Sequence, residues 1–534
     1  MVFRRFLSVC RPSILPGFAV AVCLSPYCLA QAAPAPEAQL PHTATLTVNA
    51  RLVVLDVVVT GKDGKPVSGL TRDDFQVFED GKQQSIRSFE SPAVHHLPAD
   101  SVTAGISQVF DPAQPASFGQ TPVTILVLDQ INTHFADSAF ARRELHNYLA
   151  SRPALLSQPT EILSVTDNAF GMVHGYTRDR DALLKALDAA PTKYAWKLEL
   201  NGRTEYGPLE RLDQSLRALE QIAQNSARVP GRKNVVWVGG GFPTVDPTLL
   251  KSKDLTEVRE TIRHVTDVLL DTRVTMYAVD PSSTAAGMTE ITDETQQAFA
   301  DAAGDGLAGP NASFGVSEDF DGLGPATGGR VVRGLNNVTA QIASAVGLGT
   351  EFYTIGYAPS SDNELEGRFR KIKVVCLKPG LTATTRQGYF NERTQREASG
   401  AAISYDLSTA AESSIPLTGL HVTVELNRSI NAPANAYVVH VSAADLTWTP
   451  RGDGASSANV EVLAVSLSSK AKMIGHTLHG MVANAKPGVN LRDSTKNADF
   501  DFHVEPVAKT AVLRFVVRDA ATGRMGSVDL PLAR

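Results

Sequence analysis

Hydrophobic and polar positions change period several times along this chain, and each change marks a boundary. Residues 14–30 form an apolar stretch preceded by Arg4, Arg5 and Arg11 and followed by the small residues Ala30, Ala32 and Ala33. That is the layout of a secretory signal with its cleavage region. Pro16 and Pro26 interrupt the stretch, which is short for a membrane span, so residues 1–30 are expected to be a cleaved signal. A Pro/Ala-rich spacer, 31–42, leads into a small β-rich unit over 43–92. Its alternation predicts strands at 52–59, 75–78 and 86–89, punctuated by turns at Lys62-Asp63-Gly64-Lys65 and Asp80-Gly81-Lys82. Residues 93–120, with scattered Pro, Gly and Ser, read as a linker.

From residue 121 apolar runs alternate with helical stripes, the pattern of a doubly wound parallel sheet. The run 123–128 is unbroken and rich in β-branched residues, as befits a strand buried on both faces. Ala141, Leu145, Tyr148 and Leu149 mark a helix; 161–165 and 171–174 are strands of a hairpin; Thr177 precedes a short helix over 179–187. Leu212, Leu216, Leu219 and Ala223 form the next helical face, and 235–238 the next buried strand. Leu255, Val258, Ile262, Val265 and Leu269 then repeat at helical spacing behind a capping box of Asp254 and Glu257, before a strand at 274–279. Residues 281–323 dissolve into Ala, Gly, Asp and Ser, a flexible insert. Order resumes with a helix carrying Leu335, Val338 and Ile342, a strand at 352–357, and a terminal hairpin over 366–390. Beyond a polar linker, 391–412, seven short strands at 420–426, 436–441, 460–467, 476–482, 500–504, 511–517 and 526–530 predict an antiparallel sandwich over 413–534. The expected fold is therefore multidomain: a central α/β Rossmann-like domain, 121–390, flanked by a small β-unit and a C-terminal β-sandwich.

Composition adds exclusions. The formal charge is −6, and loss of 1–30 removes three Arg and no acid, leaving −9. An acidic exported chain without a basic cluster is not built for nucleic acid. The basic residues of 368–373 alternate with apolar ones and solvate a strand face. No segment after the signal is apolar enough to cross a bilayer. Cys10, Cys23 and Cys28 fall in the signal, so the mature chain keeps Cys376 alone and cannot form an internal disulfide.

Candidate chemistry gathers after the first central strand. Asp129 ends the run, and Asn132 and Thr133 follow it, at the sheet edge where open α/β folds bind ligands. A carboxylate with neighbouring side-chain oxygens can hold a hard cation there, or Asp129 and Thr133 can cap the next helix and brace the loop. Gly239-Gly240-Gly241 follows a strand, but Phe242 and Pro243 come next and the dinucleotide-binding spacing fails. No G-x-S-x-G elbow and no paired His at zinc-ligand spacing occur. The enzyme alternative is a hydrolase or related activity using Asp129, His134 and Asp280 at the same edge. Another alternative is a purely structural envelope component.

The segments RLVVLDVVVTGKDGKPVSGLTRDDFQVFEDGK, ILVLDQINT, KNVVWVGGGFP, ATGGR, YTIGYAP, RKIKV and RQGYF occur in this order between residues 44 and 390. Together they resemble the von Willebrand factor A-related proteins of the acidobacterial type. The resemblance implies a Rossmann-like sheet with one short antiparallel edge strand near 171–174, and a noncatalytic role in binding a protein or surface ligand. It also implies a metal-adhesion site of the D-x-S-x-S kind. Asp129 and Thr133 match the first loop and Thr177 the second, but Ile131 replaces the middle Ser and glycines stand where a third loop offers Asp. A degenerate site follows, with no cofactor beyond weakly held Mg²⁺. The expected role is exported, periplasmic or extracellular, binding an unknown protein or cell-envelope ligand through Asn132, His134 and Phe242.

Overall fold

The computed structural model describes residues 52–95, 110–112, 118–133, 135–166, 170–190, 208–240, 251–281, 323–332, 337–359, 369–390, 400–429, 433, 435–493, 495–505 and 507–532. The apolar run ending at Asp129 lies inside a six-stranded sheet. From edge to edge its order is Arg330–Val332, Val274–Val279, Lys233–Val238, Val123–Asp129, Leu155–Val165 and Phe170–Asp179. Every pairing in it is parallel except that of the last two strands. The antiparallel edge strand expected at 171–174 is present and longer than its apolar core suggested.

Strand residues of alternating parity feed two apolar layers, as the period of two demands. Ile125, Val127, Val235, Trp237, Met276 and Ala278 pack with Leu212, Leu216 and Leu219 of the helix Pro208–Asn225 and with Ile262, Val265 and Leu269 of Ser252–Asp271. On the other face Leu126, Leu128, Val236, Val238 and Val279 meet the helices Phe135–Ala150, Arg180–Ala189 and Val338–Thr350. Cover on both sides explains why the three central strands have no exposed position. Among the described residues no helix is long and apolar enough to cross a membrane.

Two expectations about the strands beyond this sheet are corrected. Tyr353–Tyr357 does not extend the α/β sheet; it pairs antiparallel with Val53–Thr60, Leu55 facing Ile355. The expected hairpin over 366–390 is also divided. Phe369–Cys376 pairs with Phe75–Glu79 and with Gly388–Phe390, whereas Thr382–Thr384 crosses to pair with Val53–Thr60. The β-rich unit and the end of the central region thus build one pair of four-stranded sheets. Its core joins Val53, Leu55, Val57, Phe75 and Val77 to Tyr353, Ile355, Tyr357, Ile372 and Val374. About fifty residues bury too little apolar surface to be stable alone, and the second half of the unit begins only at Tyr353, far downstream of Glu90.

The stretches read as linkers are also structured in part. Phe110 and Phe118 are buried, and Phe118 meets Tyr176 edge to face at 5.5 Å. Gly400–Glu412 is a helix, not a polar connection. Leu407, Ala410 and Ala411 pack on Leu463, Val465 and Val516, while Tyr405 joins the core under the helices of the α/β layer. The remaining strands form a three-stranded and a five-stranded sheet around Tyr437, Val439, Val460, Val462, Phe500, Phe502 and Phe515. Residues 1–30, the spacer 31–42 and nearly all of the insert 281–323 lie outside the described residues.

Candidate functional site

The central strand ends where Gln130 makes its last ladder bond, to the carbonyl of Val165. Asp129 points inward there and is 2% exposed. Its Oδ1 accepts from the backbone N–H of Ile131 and of Asn132, each at 3.0 Å. Its Oδ2 accepts from Asn132 Nδ2 and from the indole Nε1 of Trp237, again at 3.0 Å. A carboxylate offers about four in-plane lone-pair sites, and four donors occupy them. Burial raises the pKa of Asp129 above its ordinary value, while the bonds from Asn132, Trp237 and Ile131 pull it down. A cation here would have to displace these donors. Among the described residues Asp129 organises its own turn and anchors Trp237.

The neighbouring loop closes the site sterically. Thr133 Oγ1 accepts from the N–H of Gly240 at 2.8 Å. A Cβ on Gly239 would come within 2.4 Å of Asp129 Cβ and 2.7 Å of Thr133 Oγ1, and one on Gly240 within 2.6 Å of the Asn132 carbonyl. No side chain fits at either position, so neither Gly239 nor Gly240 can be replaced by a carboxylate ligand. Ile131 is buried in the core beneath the helix Pro208–Asn225, where its apolar side chain supports the turn from below.

The residues proposed as metal ligands do not converge. Thr177 pairs with Thr160, which pairs with Thr124, whereas Asp129 is level with Val165 and Phe170. Five residues along the strand separate the levels of Thr177 and Asp129, about 16 Å at 3.3 Å per residue. Thr177 is buried at the opposite end of the sheet, and its hydroxyl accepts from the N–H of Asp179. Its assignment as a ligand is corrected accordingly. Asn132, expected to meet a partner, is turned inward instead: Nδ2 also donates to Ser215 Oγ at 3.0 Å, and its Oδ1 is buried without a partner. His134 and Phe242 lie outside the described residues. Asp280 follows Val279, and Lys233–Val238 lies between its strand and that of Asp129. Two strand spacings, about 10 Å, separate the carboxylates' strands, so these two do not form a close acid/base pair.

Trp237 and Ser215 are the partners that sequence reasoning missed. The run 233–238 did carry a signal for the first. A Trp in a strand with no exposed face needs an acceptor for its N–H, and the adjacent strand ends in a carboxylate.

No protein-family model matches this chain, and no curated protein does. Among solved structures it is similar to proximal thread matrix protein 1 of the mussel byssus, with 11% identity over 30% of this chain and a TM-score of 0.20. That match spans 37% of the mussel chain, little more than a third of its length. The VWA domain of SpRpn10 is covered over 94% of its length by 33% of this chain, at 13% identity and a TM-score of 0.16. An endonuclease/exonuclease/phosphatase from Beutenbergia cavernae gives 11% identity over 35% of this chain and a TM-score of 0.10. Likeness at this level carries no argument about activity; the mixed α/β architecture rests on the sheets themselves.

Proposed function

We propose that this protein is an exported, noncatalytic interaction protein of the von Willebrand factor A-related type. It binds a protein or cell-envelope ligand at the C-terminal edge of the six-stranded sheet, independently of a metal. The observation that carries the reading is the state of Asp129: all four lone-pair sites are taken by N–H donors, and glycines fill the space of a third ligand loop. The sheet order with its antiparallel edge supports the family assignment. With Asn132 engaged inward, His134 and Phe242, both outside the described residues, remain the proposed contact residues.

Metal independence has a numerical test. Binding to the folded state alone stabilises by RT ln(1 + [L]/Kd), so about 5 mM Mg²⁺ at a Kd near 0.1 mM would contribute roughly 2.3 kcal/mol. A Kd above about 10 mM leaves only a few tenths. The mature protein is expected to unfold at the same urea concentration with or without Mg²⁺ or Ca²⁺. Immobilised on a resin, it should retain the same envelope component in either buffer, and the double variant His134→Ala/Phe242→Ala should retain less. Strict Mg²⁺ dependence of capture, or turnover of an envelope substrate, would refute the proposal.

A further inference from the structure

Away from the sheet edge, three helices and one sandwich strand bring ionisable groups to a single buried point. Glu220 belongs to Pro208–Asn225, His264 to Ser252–Asp271, Asp406 to Gly400–Glu412 and Arg518 to Val512–Asp519. One ligand atom from each of Glu220, His264 and Asp406 lies within 4.8 Å of the other two. Asp406 Oδ1 meets His264 Nε2 at 2.5 Å, and its Oδ2 accepts from Arg518 Nε at 2.6 Å. Arg518 Nη1 in turn donates to Glu461 Oε2 at 3.2 Å.

Glu220 is the anomaly. It is 0% exposed, and neither carboxylate oxygen has a well-formed hydrogen bond, although the Asp406 carboxylate and the Thr409 hydroxyl lie near it. Its neighbours on the same helix, Leu216, Leu219, Ile222 and Ala223, are core residues. A buried acid without well-formed hydrogen bonds is unfavourable unless something else occupies the space its oxygens face. Burial first, and then the Asp406 charge, push the Glu220 carboxyl well above the usual range. Asp406 itself is held below its ordinary value by His264 and Arg518, despite burial.

The local charge does not close. Arg217 is matched by Asp213 at 2.8 Å, which leaves Glu220, Asp406 and Glu461 against the single guanidinium of Arg518. With Glu220 deprotonated and His264 neutral, the forms that ligation requires, the excess is two negative charges, the charge of one divalent cation. We propose that Glu220, His264 and Asp406 form a binding site for a zinc-class divalent cation that ties the α/β layer to the C-terminal sandwich. One imidazole nitrogen and two carboxylate oxygens suit Zn²⁺ and its first-row neighbours, with water in the fourth position. They are too few oxygens for Ca²⁺, and Mg²⁺ has little use for the nitrogen. Ligand bonds of about 2.0–2.2 Å in a tetrahedron place the donor atoms roughly 3.3 Å apart. His264 and Asp406 would part by under about 1 Å and Glu220 would close in by up to about 1.5 Å. Arg518 fixes the second oxygen of Asp406, the orienting role such outer partners have. The His264 side chain is 23% exposed, so the cluster reaches solvent along its imidazole.

The test is a titration of untagged mature protein, stripped with chelator and desalted, with Zn²⁺ and Co²⁺ against a chromophoric competitor. One equivalent should bind, with the intense visible absorption of tetrahedral Co²⁺, and should raise the unfolding temperature. Glu220→Gln, which keeps the shape of the protonated acid, and His264→Gln should each weaken binding at least tenfold. His440→Ala should leave it intact; that residue touches Asp499 and Glu425 on the surface and controls for incidental capture. Absence of stoichiometric binding in the wild type, or binding that survives Glu220→Gln and His264→Gln, would overturn the site. The two charges would then be balanced by protons on Glu220 and His264.

Discussion

Replacing Asp129 by Asn keeps the shape of the side chain and removes half of its acceptor capacity. The remaining oxygen would stay with the backbone N–H groups of Ile131 and Asn132, which define the turn. The new amide group then faces two donors, Asn132 Nδ2 and Trp237 Nε1. Asn132 can turn its amide over and offer its unpartnered Oδ1. Trp237 has no such recourse, being fully buried. An orphaned buried donor costs about 1–3 kcal/mol, and the surviving bonds lose the assistance of the charge, which roughly doubles their strength. Relief from burying a carboxylate offsets part of this. The expected loss is about 2–4 kcal/mol, against roughly 1 kcal/mol or less if Asp129 served only as a helix cap. Asp129→Ala, which strands all four donors, should lose more. Urea unfolding followed by Trp fluorescence and circular dichroism measures this. At a slope of about 2 kcal/mol/M the Asn variant should unfold about 1–2 M earlier. A loss under about 1 kcal/mol in Asp129→Asn would show that the four bonds do not hold the turn, and the case for a closed metal site would fall with them.

Three further outcomes are expected. Gly239→Ala should destabilise by about 2 kcal/mol or more, since its Cβ collides with Asp129 and Thr133, and Gly239→Asp should not create Mg²⁺ binding; unfolding of both with and without Mg²⁺ decides it. Burial lifts Glu161 to about 8 from an ordinary 4.5, so the folded state holds an extra proton between those values. Its contribution is full below about pH 4.5 and is lost as pH rises through about 8, several kcal/mol in all by linkage. Glu161→Gln should therefore gain on the wild type between pH 6 and 8.5, and parallel profiles would refute this; Lys233, lowered to about 7, acts in the opposite direction equally in both proteins. Cys376 is half-buried and pairs with Phe75, so native alkylation should be slow and Cys376→Val should change stability by under about 1 kcal/mol, while rapid labelling or a disulfide-linked dimer would contradict it.

Periodicity alone revealed every central strand of the six-stranded sheet and the helices on its faces. Burial on both sides forces a continuous apolar run, and one-sided burial forces a helical stripe, so these patterns are written locally. The same holds for the seven long strands of the C-terminal sandwich, each of which appears near its expected place. The antiparallel edge strand was legible too, because two short strands so close in sequence can only turn back. What the sequence could not say is which strand pairs with which when the partner is distant. Val53–Thr60 has the same apolar content whether it meets a neighbour thirty residues away or Tyr353–Tyr357, three hundred residues on. The helix Gly400–Glu412 escaped notice because its buried positions include Asp406 and Thr409, polar residues that the distant His264, Arg518 and Arg217 make acceptable inside. Asp129 shows the same division. A carboxylate at a sheet edge reads as a ligand from sequence, since its chemistry is that of an open acceptor. Only the tertiary structure decides otherwise, because the donors that fill it come from the turn, the Asn132 side chain and an indole more than one hundred residues away.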